Sequence, residues 1–223
     1  MTTSPAQSGI RAALISALLL AVGIPNISIS DEEGAAVAAS EPKKVVDALH
    51  EQLIGVMKNA DSLGYKGRFE QLEPVVGRLF DISFMAEKSV GRHWKTADEE
   101  NRVRLLSTFG RFTVANYAGR CNKYSDQFFE TLEEESSIHG TMLVRSRLVE
   151  SNGDFVQLDY RLRSVQGDWR IIDVYLNGTI SELALRRSEY SSLIQREGFA
   201  ALLTALDQRI DELASGEVAD RSS

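Results

Sequence analysis

Residues 155–165 read FVQLDYRLRSV, with Val156, Leu158, Tyr160 and Leu162 alternating with Gln157, Asp159, Arg161 and Arg163. An apolar residue at every second position is the period of a strand that turns one face to a core and the other to water. The same period runs through residues 128–176, and on both sides of that block it gives way to apolar spacings of three and four. This order confines the fold. A block of strands joined by short turns pairs antiparallel, and its apolar face can be covered only by the helices before and after it.

Four strands are expected, at residues 128–132, 141–149, 155–165 and 169–176, with Ser136, Ser137, Asn152, Gly153, Gly167 and Asp168 in the turns. In the second, Met142, Val144 and Leu148 oppose Arg145 and Arg147. Ahead of the strands, Val45, Val46, Leu49, Leu53, Val56 and Met57 form one helical stripe, and that helix is expected to end near Gly64. Further helices are expected at residues 71–79 and 80–90, the latter stopped by Gly91. A long helix then begins at a capping box of Thr96 and Glu99 and carries Leu105, Phe109, Phe112, Ala115 and Tyr117 towards Tyr124. After the strands comes a helix interrupted at Glu197 and Gly198, followed by a last helix over 199–213. The fold class is therefore α+β: a curved four-stranded antiparallel sheet covered on one face by helices.

The N-terminus points to export. Arg11 precedes the apolar run at residues 12–25, which is shorter than the ~20 residues of a bilayer span and has the layout of a signal peptide. Small residues place cleavage after Ser30 or Ala38. The expected organisation is a signal at 1–30, a disordered leader at 31–41, a single domain at 42–213 and a disordered tail at 214–223.

Composition narrows the function. A net charge of −7 offers no broad basic surface for nucleic acid. Cys121 is the sole cysteine, so it forms no intrachain disulfide, and it reads as a small buried residue. His50, His93 and His139 are scattered without ligand or catalytic spacing, so no metal or cofactor is expected.

Several groups of residues resemble, in order and spacing, the MlaC (toluene-tolerance) family of periplasmic lipid-binding proteins. Phe80, Asp81, Met85, Gly91 and Trp94 form one group. Phe109, Phe112, Tyr117 and Ala118 form a second. Trp169, Asp173, Val174, Gly178 and the run Arg186, Arg187, Ser188, Glu189, Tyr190 form the third. The stretch ISELALRRSEY resembles the hopanoid-associated branch, HpnM. The resemblance implies a non-enzymatic, monomeric periplasmic carrier of a phospholipid or hopanoid that meets inner- and outer-membrane lipid transport complexes of the ABC type.

Read with that resemblance, the alternating strands and the aromatic helix face give Phe109, Phe112, Val144, Leu158, Tyr160, Leu162, Val174 and Leu176 as candidate cavity-lining residues. The strand parity of the last two is ambiguous within IIDVYL. Asp173, polar within that run, has two readings. It is a general base partnered by Tyr160 or Tyr175 in a small pocket enzyme, or it is an ion pair with Arg186 or Arg187 that fixes helix to strand. The ion pair is expected, because no histidine, lysine or second carboxylate completes a catalytic set. Arg186, Arg187 and Arg196 read as solvated helix surface. A third class, an envelope assembly factor with a filled core, predicts an exposed apolar patch for a partner.

Overall fold

The sheet block folds as five antiparallel strands in sequential order, one more than expected. The computed structural model describes residues 41–216, so the expected signal and the sequences at 1–40 and 217–223 lie outside the described residues. The strands are β1 (Phe128–Ser136), β2 (Met142–Val149), β3 (Phe155–Val165), β4 (Asp168–Leu176) and β5 (Ile180–Ser181). The additional strand, β5, is two residues long and pairs with Tyr175 and Leu176. It is too short to leave a periodic signal. Gln166 and Gly167, both at positive φ, make the two-residue turn between β3 and β4, the geometry that matches strand twist in a tight hairpin.

The register of β3 against β4 contains a bulge. Arg161 is opposite Asp173 but Leu162 is opposite Ile171, which leaves Ile172 as the extra residue. Ile171, Ile172 and Asp173 are consequently all buried, where an unbroken strand would alternate. The extra residue reverses the parity of the rest of β4. Val174 then lies opposite Tyr160, and Leu176 opposite Leu158, on one face.

Among the described residues seven α-helices accompany the sheet: α1 (Pro42–Lys58), α2 (Ala60–Leu79), α3 (Ile82–Val90), α4 (His93–Thr96), α5 (Glu99–Arg120), α6 (Glu182–Glu197) and α7 (Phe199–Ser215). The stripe Val45, Val46, Leu49, Leu53, Val56 and Met57 is buried, and α1 lays it on β1, β2 and β4. α1 ends at Asn59 rather than near Gly64. Gly64 instead breaks the following helix with φ +58 and ψ −177, a conformation that a side chain disfavours. Asp98, not Thr96, caps α5, its carboxylate accepting from the Asn101 amide at 2.8 Å. Asp81 caps α3 at the Phe84 amide and also receives Arg163 Nε at 2.6 Å, tying the helix to β3. Arg68 is buried and donates to the carbonyls of Ala118 at 2.8 Å and Ala60 at 3.1 Å, joining α2 to the end of α5.

The polar side of β3 is less solvated than the alternation implies. Asp159 has no exposed surface and accepts from Arg145 at 3.2 Å, Gln157 at 2.9 Å and the Ser146 amide at 3.3 Å. The long arginine and glutamine side chains fold over the sheet and cover the carboxylate while satisfying it.

His50 lies at the seam between α1 and the sheet. Its ring stacks on Phe129 with centroids 4.0 Å apart, and its two nitrogens lie 3.2 Å from Thr131 Oγ1 and from the Tyr160 hydroxyl. Burial lowers its pKa to about 4, against a smaller opposing effect from Asp47. Because the folded value lies below the ordinary 6.5, the unfolded chain takes up the proton first as pH falls. The stability held by the neutral ring is therefore complete above about pH 6.5 and lost on the way to about pH 4. The loss is on the order of 3 kcal/mol. Urea midpoints measured from pH 7 to pH 4 check this: His50→Gln is expected to flatten the fall relative to the parent, and an unchanged slope contradicts it.

Candidate functional site

The bulged pairing of β3 and β4 places Leu158, Tyr160, Val174 and Leu176 side by side on the wall of an internal cavity of about 130 Å³. Phe129 of β1 and Leu148 of β2 extend that wall. Leu53 and Met57 of α1 enclose it from another element, as do Thr113, Asn116 and Tyr117 of α5 and Leu183 of α6. The lining is overwhelmingly apolar. Its phenols and thiol stay neutral: burial raises Tyr117 and Tyr160 well above the ordinary tyrosine range and pushes Cys121 up to about 12.

Four of the eight sequence-derived lining residues are on this cavity, namely Leu158, Tyr160, Val174 and Leu176. The other four are elsewhere. Phe109, Val144 and Leu162 have no exposed surface and belong to the packed core. Phe109 is one turn too early on α5, since the cavity meets Thr113, Asn116, Tyr117 and Arg120 of the later turns. Leu162 pairs with Ile171 beyond the bulge, and Val144 lies opposite Tyr160 from the neighbouring strand. Phe112 lines an adjoining surface groove of about 530 Å³. Leu53 and Met57, absent from the sequence-derived set, were visible only as a core stripe on α1. Phe129 and Leu148 carried no signal beyond being apolar residues in strands.

Asp173 makes no ion pair with Arg186 or Arg187, contrary to expectation. Its carboxylate accepts from the Ser181 hydroxyl at 2.6 Å, the Val174 amide at 2.9 Å and the Leu183 amide at 3.0 Å. Burial raises its pKa, and these three hydrogen bonds oppose the rise. Asp173 thus fastens β4 to the first turn of α6, where backbone amides lack helical partners. Tyr160, the first tyrosine weighed beside it, directs its hydroxyl to His50 instead. Tyr175 does lie in the electrostatic reach of Asp173, and burial first, then that charge, raises its phenol.

Arg186 is not solvated surface either. Its side chain is 16% exposed and pairs with Glu182 at 3.2 Å. Its guanidinium lies over the rings of Phe109 and Phe112, at 5.6 and 5.2 Å. Arg120, at the end of α5, approaches the same Glu182 at 3.7 Å. Arg120, Glu182, Arg186 and Asn116 line both the cavity and the groove and form the partition between them. Among the described residues, no cluster of three or more histidine, cysteine or carboxylate side chains is placed to hold a metal ion.

The fold and cavity define a class: an α+β container in which helices close an apolar space over one face of an antiparallel sheet. The chain belongs to the MlaC protein family, whose model matches residues 47–208. The toluene tolerance protein ttg2D of Pseudomonas putida is 26% identical over 188 residues, which cover 82% of this chain and 84% of that protein. The fold is similar to that of a phospholipid-binding protein from Ralstonia solanacearum, solved in complex with a phospholipid. That match has a TM-score of 0.66 and 21% identity, and it covers 78% of this chain and 99% of the other.

Proposed function

We propose that the chain is a periplasmic lipid carrier that shields the apolar part of a phospholipid or hopanoid and exchanges it with an ABC-type membrane lipid transport system. The observation that carries this reading is the apolar cavity between sheet and helices, whose charged groups are Asp173, already engaged, and the trio at the partition to the groove. At about 0.8 kcal/mol per methylene, exposing a 16-carbon chain to water costs on the order of 13 kcal/mol, so a lipid crosses an aqueous space only when shielded. The phospholipid bound to the Ralstonia protein of the same fold supports the reading, as does membership of the MlaC family.

The cavity alone, at about 130 Å³, is smaller than the roughly 300–1,000 Å³ of a drug-sized ligand site. A two-chain lipid therefore needs the cavity and the groove of about 530 Å³ joined into one space. Their shared partition is held by side chains of α5 and α6, so displacement of α6 joins them. No helix among the described residues is long and apolar enough to cross a membrane.

The competing enzyme reading makes Asp173 a general base. Its three accepted hydrogen bonds favour a positioning role. Asp173→Asn keeps an oxygen for two of those donors, and uptake of labelled phospholipid from vesicles by the full chain is expected to stay within about twofold of the parent. Loss of a measured turnover with uptake intact would instead support the enzyme.

A further inference from the structure

We propose that Arg120 and Arg186 form a subsite for the phosphate ester of a lipid headgroup, with Glu182 holding the two guanidiniums until a phosphate replaces its carboxylate. The inference rests on the carrier reading and adds the residues that select the polar end of the ligand.

Position is the first argument. A lipid that fills the joined cavity and groove runs past the residues that now divide them, and Arg120, Glu182 and Arg186 are the charged groups lining both spaces. Asp173, the other charged residue on the cavity, is spent on Ser181, Val174 and Leu183.

Charge balance is the second. One carboxylate serves two guanidiniums at the partition. On the groove side Glu189 and Arg209 add one charge of each sign, and Arg209 is already paired with Glu212 at 2.7 Å. The trio by itself therefore carries one net positive charge, with Glu189 the opposing charge on the groove side, and Arg186 is mostly buried, where it attracts an anion more strongly than in water.

Donor capacity is the third. Arg186 uses a single hydrogen bond, to Glu182, out of the five donors of a guanidinium. Arg120 meets Glu182 at 3.7 Å, beyond hydrogen-bond distance. The Arg186 guanidinium lies 5.6 and 5.2 Å from the ring centroids of Phe109 and Phe112, contacts that help hold the side chain in place before a ligand arrives. A planar fork with free donors suits two oxygens of a phosphate, which a lysine ammonium cannot engage in the same way.

The test presents the full chain with vesicles containing equal amounts of phosphatidylglycerol and a diacylglycerol with the same acyl chains, and measures lipid carried away per protein by mass spectrometry. The parent is expected to prefer the phospholipid by about tenfold. Arg120→Gln should reduce that preference by about threefold or more without changing the melting temperature, because its side chain is 66% exposed. Arg186→Lys should also reduce it, and Glu182→Gln should preserve or raise it. Equal uptake of both lipids by the parent overturns the subsite while leaving the carrier reading intact, and an unchanged preference in Arg120→Gln overturns it as well. Uptake of neither lipid overturns the subsite and removes a phospholipid as the cargo of the carrier reading. Glycerol phosphate without acyl chains is expected to leave the melting temperature unchanged; a shift as large as that given by phosphatidylglycerol would assign the arginines to a free phosphate ester and overturn the headgroup proposal.

Discussion

Val174→Trp is expected to cut the lipid recovered per folded protein by roughly tenfold or more while leaving the fold intact. Val174 stands on the cavity wall opposite Tyr160, and the indole has little room except the space of about 130 Å³ in front of it. Filling a wall position with a larger side chain adds some packing strain, about 1–3 kcal/mol, and the indole N–H is the one polar group it brings, so the cost to stability stays small beside the loss of cavity space. The change therefore separates occupancy from stability. Uptake from labelled vesicles, with circular dichroism as the check on folding, reads both. Parent-like uptake by a folded Val174→Trp protein would mean that the tails lie elsewhere.

Phe109→Ala should do the reverse. Phe109 has no exposed surface, lies in the packed core and supports the Arg186 guanidinium from below. Truncating a buried phenylalanine removes its transfer free energy and leaves a void, together about 3–5 kcal/mol. Urea unfolding should record that loss, while lipid uptake per folded molecule falls far less than in Val174→Trp. Large loss of uptake with stability preserved would return Phe109 to the cavity wall, where the sequence pattern alone had placed it.

That contrast locates what the sequence carried and what it lacked. The change of period at the strand block, and the alternation in β3, were enough to identify an antiparallel sheet covered by helices, and β3 itself begins and ends where the pattern does. The stripe of α1 was equally legible. The cavity was legible only in part, because buried core and cavity wall share one composition. Leu158 and Tyr160 followed from strand parity. Val174 and Leu176 depended on the bulge at Ile172, which reverses the parity of β4 and leaves no composition signal in the run IIDVYL. Phe109 lies one helical turn before the cavity and Phe112 lines the adjoining groove, distinctions that an apolar stripe on α5 cannot resolve.

Charged residues were the least legible. Arg186 reads from sequence as helix surface, and Asp173 as the ion-pair partner of Arg186 or Arg187, because the chain does not record which side chains the fold brings together. In the fold, Asp173 serves the unpaired amides at the start of α6 and Arg186 turns to Glu182 and two aromatic rings. Asp159 illustrates the same point, since side chains from β2 and β3 cover a carboxylate that alternation assigns to water. Long polar side chains choose partners by geometry across elements, and a one-dimensional pattern holds no record of it.

The central claim is that this cavity, joined to its groove, carries a lipid. Its most direct test is mass spectrometry of the molecules released from the full chain, purified with its N-terminal segment from the host in which it is naturally made. The account predicts a phospholipid or hopanoid in near-stoichiometric amount from the parent protein and much less from Val174→Trp. Protein that is folded, exported and free of any bound lipid would contradict it.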